Sequence, residues 1–177
     1  MPPVRQVWIR KKGESSELEV RDVPTCEPRP GQLKLRVDAA GVNFADIMMR
    51  RGLYPDAPDL PAVPGYEVAG EVIAVGAGSD PEMLGRPVVA MCNFGGYSEE
   101  ICLPQEFVWT RPAEIDAVTA AALPVNYLTA WQMVKVMAPV HRGDKVLVHS
   151  AAGGVGQAVI QLCALAGAAG GTVNQRW

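Results

Sequence analysis

The sequence predicts an α/β protein with a β-rich first part, followed by the beginning of a doubly wound parallel sheet. Two observations support this fold class. Many short apolar runs before residue 112 are separated by glycine- and proline-rich turns, which is typical of a compact β-barrel. Residues 145–166 then read as an apolar strand, a glycine loop and an apolar helix, which is typical of α/β sheets. We assign residues 1–123 to the first domain, 124–168 to the start of the second, and 169–177 to an atypical tail.

The first part begins with a predicted hairpin, Val4–Arg10 and Leu18–Asp22. Residues 32–41 alternate strictly, with Leu33 and Leu35 on one face and Lys34 and Arg36 on the other, as in a half-buried strand. A short helix is expected at 43–51, ended by Gly52. Further strands are expected at 65–76, 85–91, 97–103 and 107–111.

The second part starts after the Arg111–Pro112 pair. An alanine-rich helix is expected at 116–123, where Pro124 breaks it, and a second helix at 125–137. The following PVHRGD segment predicts a turn into the strand Lys145–His149, whose apolar run fits a buried parallel strand.

The glycine loop has the spacing Ala151-x-Gly153-x-x-Gly156, a variant of the dinucleotide-binding fingerprint. Gly153 lets the backbone approach a pyrophosphate, and Gly156 lets the helix pack closely on the strand. The helix N-terminus offers free N–H groups and a partial positive charge to phosphates. The alternative is a tight strand–helix turn without a ligand.

A complete dinucleotide site also needs an acidic or basic residue about 20 residues after the glycines, to contact the ribose. That position falls at the end of the printed sequence, where residues 167–177 contain three glycines and no acid. Arg176 would either contact a phosphate or lie in solvent. We therefore expect this chain to be inactive or weakly active. We also expect it to aggregate, to be partly disordered beyond about Gly143, or to associate with another chain through the exposed strand edge.

The composition limits the classes of protein to which this chain can belong. The 177 residues are 49% hydrophobic and 20% charged with a net charge of −3, which indicates a globular protein without a basic patch for nucleic acid. No apolar stretch reaches membrane-spanning length, so no transmembrane segment is expected. Because the N-terminus lacks the apolar core of a signal peptide, the expected location is cytoplasmic.

The four cysteines are Cys26, Cys92, Cys102 and Cys163, and no two form a C-x-x-C pair. A zinc ribbon is therefore not supported, and isolated reduced thiols are expected.

Four segments carry a resemblance to a known family. They are AAGVNFADIMMRRGLY (39–54), VPGYEVAGEVIAVG (63–76), AALPVNYLTAW (121–131) and VLVHSAAGGVG (146–156). Together they resemble the medium-chain dehydrogenase/reductase superfamily, in particular its zinc-free quinone oxidoreductase branch and the vesicle amine transport protein group. The resemblance implies a GroES-like barrel followed by a Rossmann domain, with this sequence ending inside the latter.

The resemblance also predicts that no metal is bound. Zinc-dependent relatives have cysteine, histidine and cysteine ligands at the positions of Asn43, Tyr66 and Val125. Val125 cannot bind zinc and Asn43 is a poor ligand. The four-cysteine structural lobe is also missing, since this region reads CNFGGYSEE.

Without zinc, hydrogen bonds must polarise a substrate carbonyl. The resemblance suggests Asn43 and Tyr54 for this role. Asn43 can also simply cap the following helix, and Tyr54 can be a loop aromatic packed beside proline. Asp46 would orient a neighbour or lie in solvent, and Glu67 resembles a family carboxylate near the cleft.

The resemblance implies NADPH as cofactor and a quinone or α,β-unsaturated carbonyl as substrate. Thr129 resembles the family threonine near the nicotinamide, and is otherwise an ordinary helical threonine bonding its own backbone. The predicted cofactor-binding residues are Asn43, Asp46, Thr129, Ala152, Gly153, Gly154, Val155 and Gly156. Two hypotheses stand: a quinone or enone reductase, or a non-enzymatic module that binds a small molecule or a protein.

Overall fold

The computed structural model describes residues 2–172, and side chains through Ala169. The chain divides into two compact units, residues 1–122 and 123–177. The strands are β1 (Val4–Ile9), β2 (Leu18–Val23), β3 (Gln32–Ala40), β4 (Glu67–Val75), β5 (Pro87–Met91), β6 (Glu100–Pro104), β7 (Val108–Thr110), β8 (Lys145–Val148) and β9 (Ala169–Thr172). The helices are α1 (Phe44–Arg51), α2 (Ala117–Ala121), α3 (Pro124–Trp131) and α4 (Gly154–Leu165).

The first unit is built on an antiparallel five-stranded sheet with the order β6-β3-β4-β5-β7. The β1–β2 hairpin is a separate two-stranded sheet, linked by single bridges from Gln6 to Ser98 and from Ile9 to Ala62. The main core of this unit contains the buried residues Leu33, Leu35, Val68, Val72, Val88, Ala90, Cys92, Leu103 and Val108. The predicted α/β class with a β-rich first part is confirmed.

The alternation of β3 needs one correction. Lys34 was placed on the solvent-facing side, but it is buried and pairs with Glu100 at 2.9 Å. Thr25 hydrogen-bonds to both side chains. A polar position in an alternating strand becomes buried when a loop covers it, and the strand pattern does not show which loop does so.

Cysteine pairing is a second correction. Cys26 and Cys102 form a disulfide, whereas isolated thiols were expected. The two residues are 76 positions apart in sequence. The pairing of β6 with β3 places Cys102 opposite Lys34. The Lys34 side chain hydrogen-bonds to Thr25, which brings the adjacent Cys26 close to Cys102. Cys92 and Cys163 are free and buried.

The second unit contains α3, β8, α4 and β9. Pro124 starts α3 rather than only ending α2, as suits a residue without an N–H in the first turn. Residues Gln132–Met137 continue it as a π-helix. The core of this unit consists of Ala130, Val134, Ala158, Val159 and Cys163.

The predicted tail also needs correction. Ala169–Thr172 forms β9, which pairs with β8 in parallel register from Lys145↔Ala169 to Val148↔Thr172. One edge of β8 is therefore paired, although it was expected to be open. Backbone hydrogen bonds form a strand even through Gly170 and Gly171, which have low strand propensity. Val173 and Arg176 lie outside the described residues. Within residues 2–172, no helix is long and apolar enough to cross a membrane.

Candidate active site

The start of α1 fixes a small polar network in the first unit. Asn43 precedes the helix with extended backbone angles, as an N-cap residue does. Its backbone N–H donates to Asp46 Oδ2 at 2.8 Å, the return bond of a capping box. Gly52 ends the helix with a φ of 72°, a conformation that glycine adopts at no steric cost. Asn43 thus occupies the N-cap position that the sequence predicts for it.

Asn43 also contacts Glu67. Its amide Nδ2 donates to Glu67 Oε1 at 2.8 Å, and the Glu67 side chain is almost completely buried. The neighbouring Gly41 makes room for this carboxylate, because a Cβ there would collide with the Glu67 side chain. This bond directs one amide N–H of Asn43 to Glu67. The amide has a second N–H donor, which can serve a ligand oxygen.

Asp46 is buried and serves as an acceptor for three donors. Besides the Asn43 N–H, the Gly65 N–H donates to Oδ1 at 3.0 Å and the Tyr97 hydroxyl donates to Oδ2 at 3.1 Å. Burial raises the pKa of Asp46, and the three hydrogen bonds oppose this by favouring the ionised form. Asp46 therefore ties α1 to the Gly65 turn and to the segment before β6, rather than lying in solvent.

The thiol of Cys92 lies next to this network. It donates to the Gly65 carbonyl at 3.3 Å. Burial raises the pKa of Cys92 to about 12, and the charges of Asp46 and Glu67 add to that effect. Because the reactive form of cysteine is the thiolate, Cys92 is a packing residue and not a nucleophile.

Tyr54 lies apart from the polar network, in an aromatic group. Its ring packs edge-on against Tyr66 with 6.1 Å between centroids, and Tyr66 in turn packs against Phe94 at 5.3 Å. Tyr54 also lines a cavity of about 540 Å³, together with Met49, Leu53 and Leu60. Arg10, Lys11 and Lys12 form a basic rim of the same cavity.

The sequence reasoning did not assign a role to Tyr66 or Tyr97 in this site. Tyr66 follows Gly65, whose φ of 103° turns the chain sharply before β4. Tyr97 follows the Gly95–Gly96 pair, and a Cβ on Gly65 would collide with the Tyr97 ring. In the sequence, the signal for these two tyrosines is that glycine directly precedes each of them. That pattern does not show which residues the tyrosine side chains contact in the folded protein.

The glycine loop of the second unit packs closely against the start of α4. Gly153 precedes α4 with extended backbone angles. Because glycine has no side chain that could accept a hydrogen bond, the first-turn amides of the helix have no side-chain cap. A Cβ on Gly156 would run into the Ser150 carbonyl and the Ala151 backbone. Ser150 itself has a φ of 54°, where non-glycine residues are uncommon. These observations fit a nucleotide phosphate at the start of α4.

Close packing also surrounds the remaining predicted residues of the loop. A Cβ on Gly154 would lie 2.5 Å from Asn126 Oδ1, so α3 approaches the loop directly. The Gln157 amide donates to the Ala152 carbonyl at 2.8 Å and closes the turn. Val155 is half-buried against the core of the second unit. Thr129 lies exposed on α3, one turn after Asn126.

No group of three histidine, cysteine, aspartate or glutamate side chains within the described part of the chain has the geometry to hold a metal ion. Asn43 and Tyr66, at two positions where the resemblance puts metal ligands, make the contacts described above.

Comparison with known proteins places these features in a family. The model of the alcohol dehydrogenase GroES-like domain matches residues 29–113. A human synaptic vesicle membrane protein VAT-1 homolog-like is 45% identical over 160 residues, which cover 90% of this chain and 38% of that protein. The chain belongs to the medium-chain dehydrogenase/reductase superfamily. Within the superfamily it is similar to the VAT-1 group, as the resemblance predicted.

Solved structures of the superfamily show the same fold. The crystal structure of the human VAT-1 homolog-like protein matches with a TM-score of 0.92 at 38% identity, covering 96% of this chain and 55% of that one. A quinone oxidoreductase from Thermus thermophilus, whose structures include a complex with NADPH, matches with a TM-score of 0.85 at 34% identity. That match covers 97% of this chain and 54% of the other. The chain thus spans under half the length of the curated relatives and just over half that of the solved ones.

Proposed function

We propose that this chain carries the carbonyl-binding domain and the phosphate cradle of an NADPH-dependent quinone or enone reductase. The observation that carries the proposal is the geometry of the glycine loop, where a side chain on Gly156 would fill the space between loop and helix. The kinship with quinone oxidoreductases supports the substrate class. We propose the domain limits 1–123 and 124–168 for these two parts.

The residues of the second unit would hold the nucleotide phosphates. The amides of Gly154, Val155 and Gly156 open α4 and offer donors and a partial positive charge to an anion. Gly153 leaves the backbone open to a pyrophosphate. Bound NADPH would supply a hydride. Because no described residue past the loop supplies the acidic contact to the ribose, we expect weak nucleotide affinity for residues 1–177 alone.

The residues of the first unit would bind and polarise the carbonyl. Asn43 has one amide N–H fixed on Glu67 and a second that can donate to a carbonyl oxygen. Tyr54 offers a phenol at the wall of the cavity. Reduction adds a hydride, which brings two electrons, and negative charge develops on the oxygen. Hydrogen bonds to that oxygen lower the barrier, and solvent supplies the single proton that completes the reduction.

A titration with NADPH, followed by its fluorescence, tests the nucleotide part of this proposal. We expect saturable binding that weakens at least tenfold in Gly156→Ala, about 1.4 kcal/mol. Oxidation of NADPH at 340 nm with duroquinone or 2-cyclohexenone then tests for turnover. Binding that is the same in wild type and Gly156→Ala, or no binding at all, would contradict the phosphate cradle.

The second candidate function is a non-enzymatic module that binds a small molecule. It is favoured by the position of the 540 Å³ cavity, whose lining residues all belong to the first unit. Such a module would bind a quinone with equal affinity in the presence and absence of NADPH, and would show no NADPH oxidation. Turnover above the rate of the uncatalysed mixture would rule it out.

A further inference from the structure

Tyr66 has a buried hydroxyl with no hydrogen-bond partner among the described residues. A buried polar group without a partner costs about 1–3 kcal/mol, and native proteins keep few of them. The Arg111 Nε is the other such atom within the described residues, but that guanidinium already donates to the Ile115 carbonyl through another nitrogen. The Tyr66 hydroxyl interacts with the neighbouring Tyr54 hydroxyl but meets hydrogen-bond geometry with no described residue, so it has no full partner in this structure.

The surroundings of Tyr66 keep this hydroxyl protonated. Burial raises the pKa of Tyr66 above its ordinary value, and the neighbouring Tyr54 hydroxyl and the Asp46 charge add to the effect. The Tyr54 hydroxyl is close enough to act electrostatically but does not satisfy hydrogen-bond geometry with Tyr66. At neutral pH the Tyr66 hydroxyl is therefore a donor that holds its proton and can polarise an acceptor without transferring that proton.

The shape around the hydroxyl indicates the chemistry of its ligand. The rings of Tyr54 and Phe94 both pack against Tyr66, at centroid distances of 6.1 and 5.3 Å. Aromatic faces favour flat, conjugated molecules, which stack against them. Tyr54 is also part of the wall of the 540 Å³ cavity. Tyr54 therefore contacts both this cavity and the ring of Tyr66.

We propose that Tyr66 is a catalytic hydrogen-bond donor, which binds the carbonyl oxygen of a planar conjugated carbonyl such as a quinone beside the rings of Tyr54 and Phe94. This inference rests on the proposed reductase function for its substrate class. Reduction adds hydride to the substrate, the new negative charge on the oxygen is stabilised by the Tyr66 O–H, and water provides the single proton that completes the reduction. Tyr66 keeps its own proton throughout.

Replacing Tyr66 with phenylalanine tests the inference, because it removes only the hydroxyl. Since that hydroxyl has no partner, we expect Tyr66→Phe to keep or slightly raise the Tm. The matched variant Tyr97→Phe removes a hydroxyl bonded to Asp46 at 3.1 Å, and should lower the Tm. A loss of stability in Tyr66→Phe as large as that in Tyr97→Phe would show that the Tyr66 hydroxyl has a structural partner, and would overturn the proposal.

Ligand binding provides the direct readout. We use duroquinone, whose fully substituted ring does not add to thiols, and measure its Kd by calorimetry without nucleotide. The expected effect of Tyr66→Phe is a 5- to 30-fold weaker Kd, as for the loss of one hydrogen bond. The carbonyl stretch of bound duroquinone should also shift to lower wavenumber in the wild type and less in the variant.

The outcomes separate this inference from the reductase proposal. Weaker binding in Tyr66→Phe without any NADPH oxidation by the wild type supports the role of Tyr66 and contradicts the reductase. NADPH oxidation with unchanged kcat and Kd in Tyr66→Phe supports the reductase and overturns the role of Tyr66. Failure of the wild type to bind duroquinone up to its solubility limit also overturns that role.

Discussion

The two units of this chain differ in how their polar groups are satisfied. In the first unit, Asp46 has three hydrogen-bond donors and Glu67 accepts from Asn43. In the second unit, the helix that would hold phosphates begins without a side-chain cap. The hydrogen bonds of Asp46 and Glu67 are therefore made within the protein, whereas the first-turn amides of α4 are left to solvent or to an anion.

The hydrophobic cores of the two units also differ, and the core of the first unit contains the larger buried side chains. The largest side chains that are almost completely buried, among them Leu33, Leu35, Met49 and Val72, all belong to the first unit. The core of the second unit is small, and Leu147 and Leu165 remain 61% and 84% exposed. Since burial of apolar area is the main source of stability, the first unit should be the more stable of the two.

Loss of the disulfide should have the largest effect, and only on the first unit. The bond closes a loop with a sequence separation of 76, for which the chain-entropy model gives about 4.5 kcal/mol. We expect Cys26→Ser to lower the free energy of unfolding of the first unit by that amount and to leave the second unchanged. Thiol titration of the denatured, unreduced chain should find two free cysteines, Cys92 and Cys163, and four would contradict the bond.

Asp46→Asn tests the polar network of the first unit. The amide of asparagine has one acceptor oxygen for the three donors that Asp46 accepts from. We therefore expect the free energy of unfolding to fall by about 2 kcal/mol at neutral pH. The pKa of Asp46 is raised in the folded state, so between 3.8 and its folded value the folded chain binds more protons than the unfolded one. The contribution of this group to stability therefore falls as pH rises through that window, and the variant should lack this component.

Urea unfolding of Asp46→Asn and the wild type at about pH 4 and about pH 7 measures this difference. Asp56→Asn, in the exposed loop after Tyr54, is the matched control and should leave the stability unchanged. A pH dependence identical in wild type and Asp46→Asn would contradict the account of this carboxylate.

Two alanine variants in the glycine loop separate fold from ligand binding in the second unit. A Cβ on Gly156 would meet the backbone of Ser150 and Ala151, whereas one on Gly153 would lie 3.3 Å from the Ser150 carbonyl. Gly156→Ala should therefore lower both the stability of this unit and its NADPH affinity. Gly153→Ala should lower the affinity alone, by about tenfold or 1.4 kcal/mol. Equal Tm losses in both variants would argue against this division.

Thr129→Val should have the smallest effect. Thr129 is exposed on α3, so its replacement costs little stability. If Thr129 contacts the nicotinamide end of the cofactor, kcat should fall about threefold, since one neutral hydrogen bond is worth about 1 kcal/mol or less. Unchanged kcat and KM for NADPH would leave Thr129 as an ordinary helical residue.

Local patterns predicted the elements of this fold well and their distant contacts poorly. The strand β3, the N-cap position of Asn43 and the glycine end of α1 all depend on neighbouring residues, and each was found. The disulfide, the burial of Lys34 and the pairing of β9 depend on which segments meet in three dimensions. The unpaired hydroxyl of Tyr66 belongs to the same class, because only the packed aromatic neighbours define it.

Hydrogen–deuterium exchange with and without NADPH tests the central claim, that the sheet of the first unit is stable without a ligand whereas the start of α4 is ordered by an anion. The amides of β3 and β4 should be strongly protected in both conditions. Those of residues 153–157 should be weakly protected in the free chain and gain protection with NADPH, and Gly156→Ala should lose that gain. Full protection of residues 153–157 without nucleotide, or no change upon its addition, would contradict the claim.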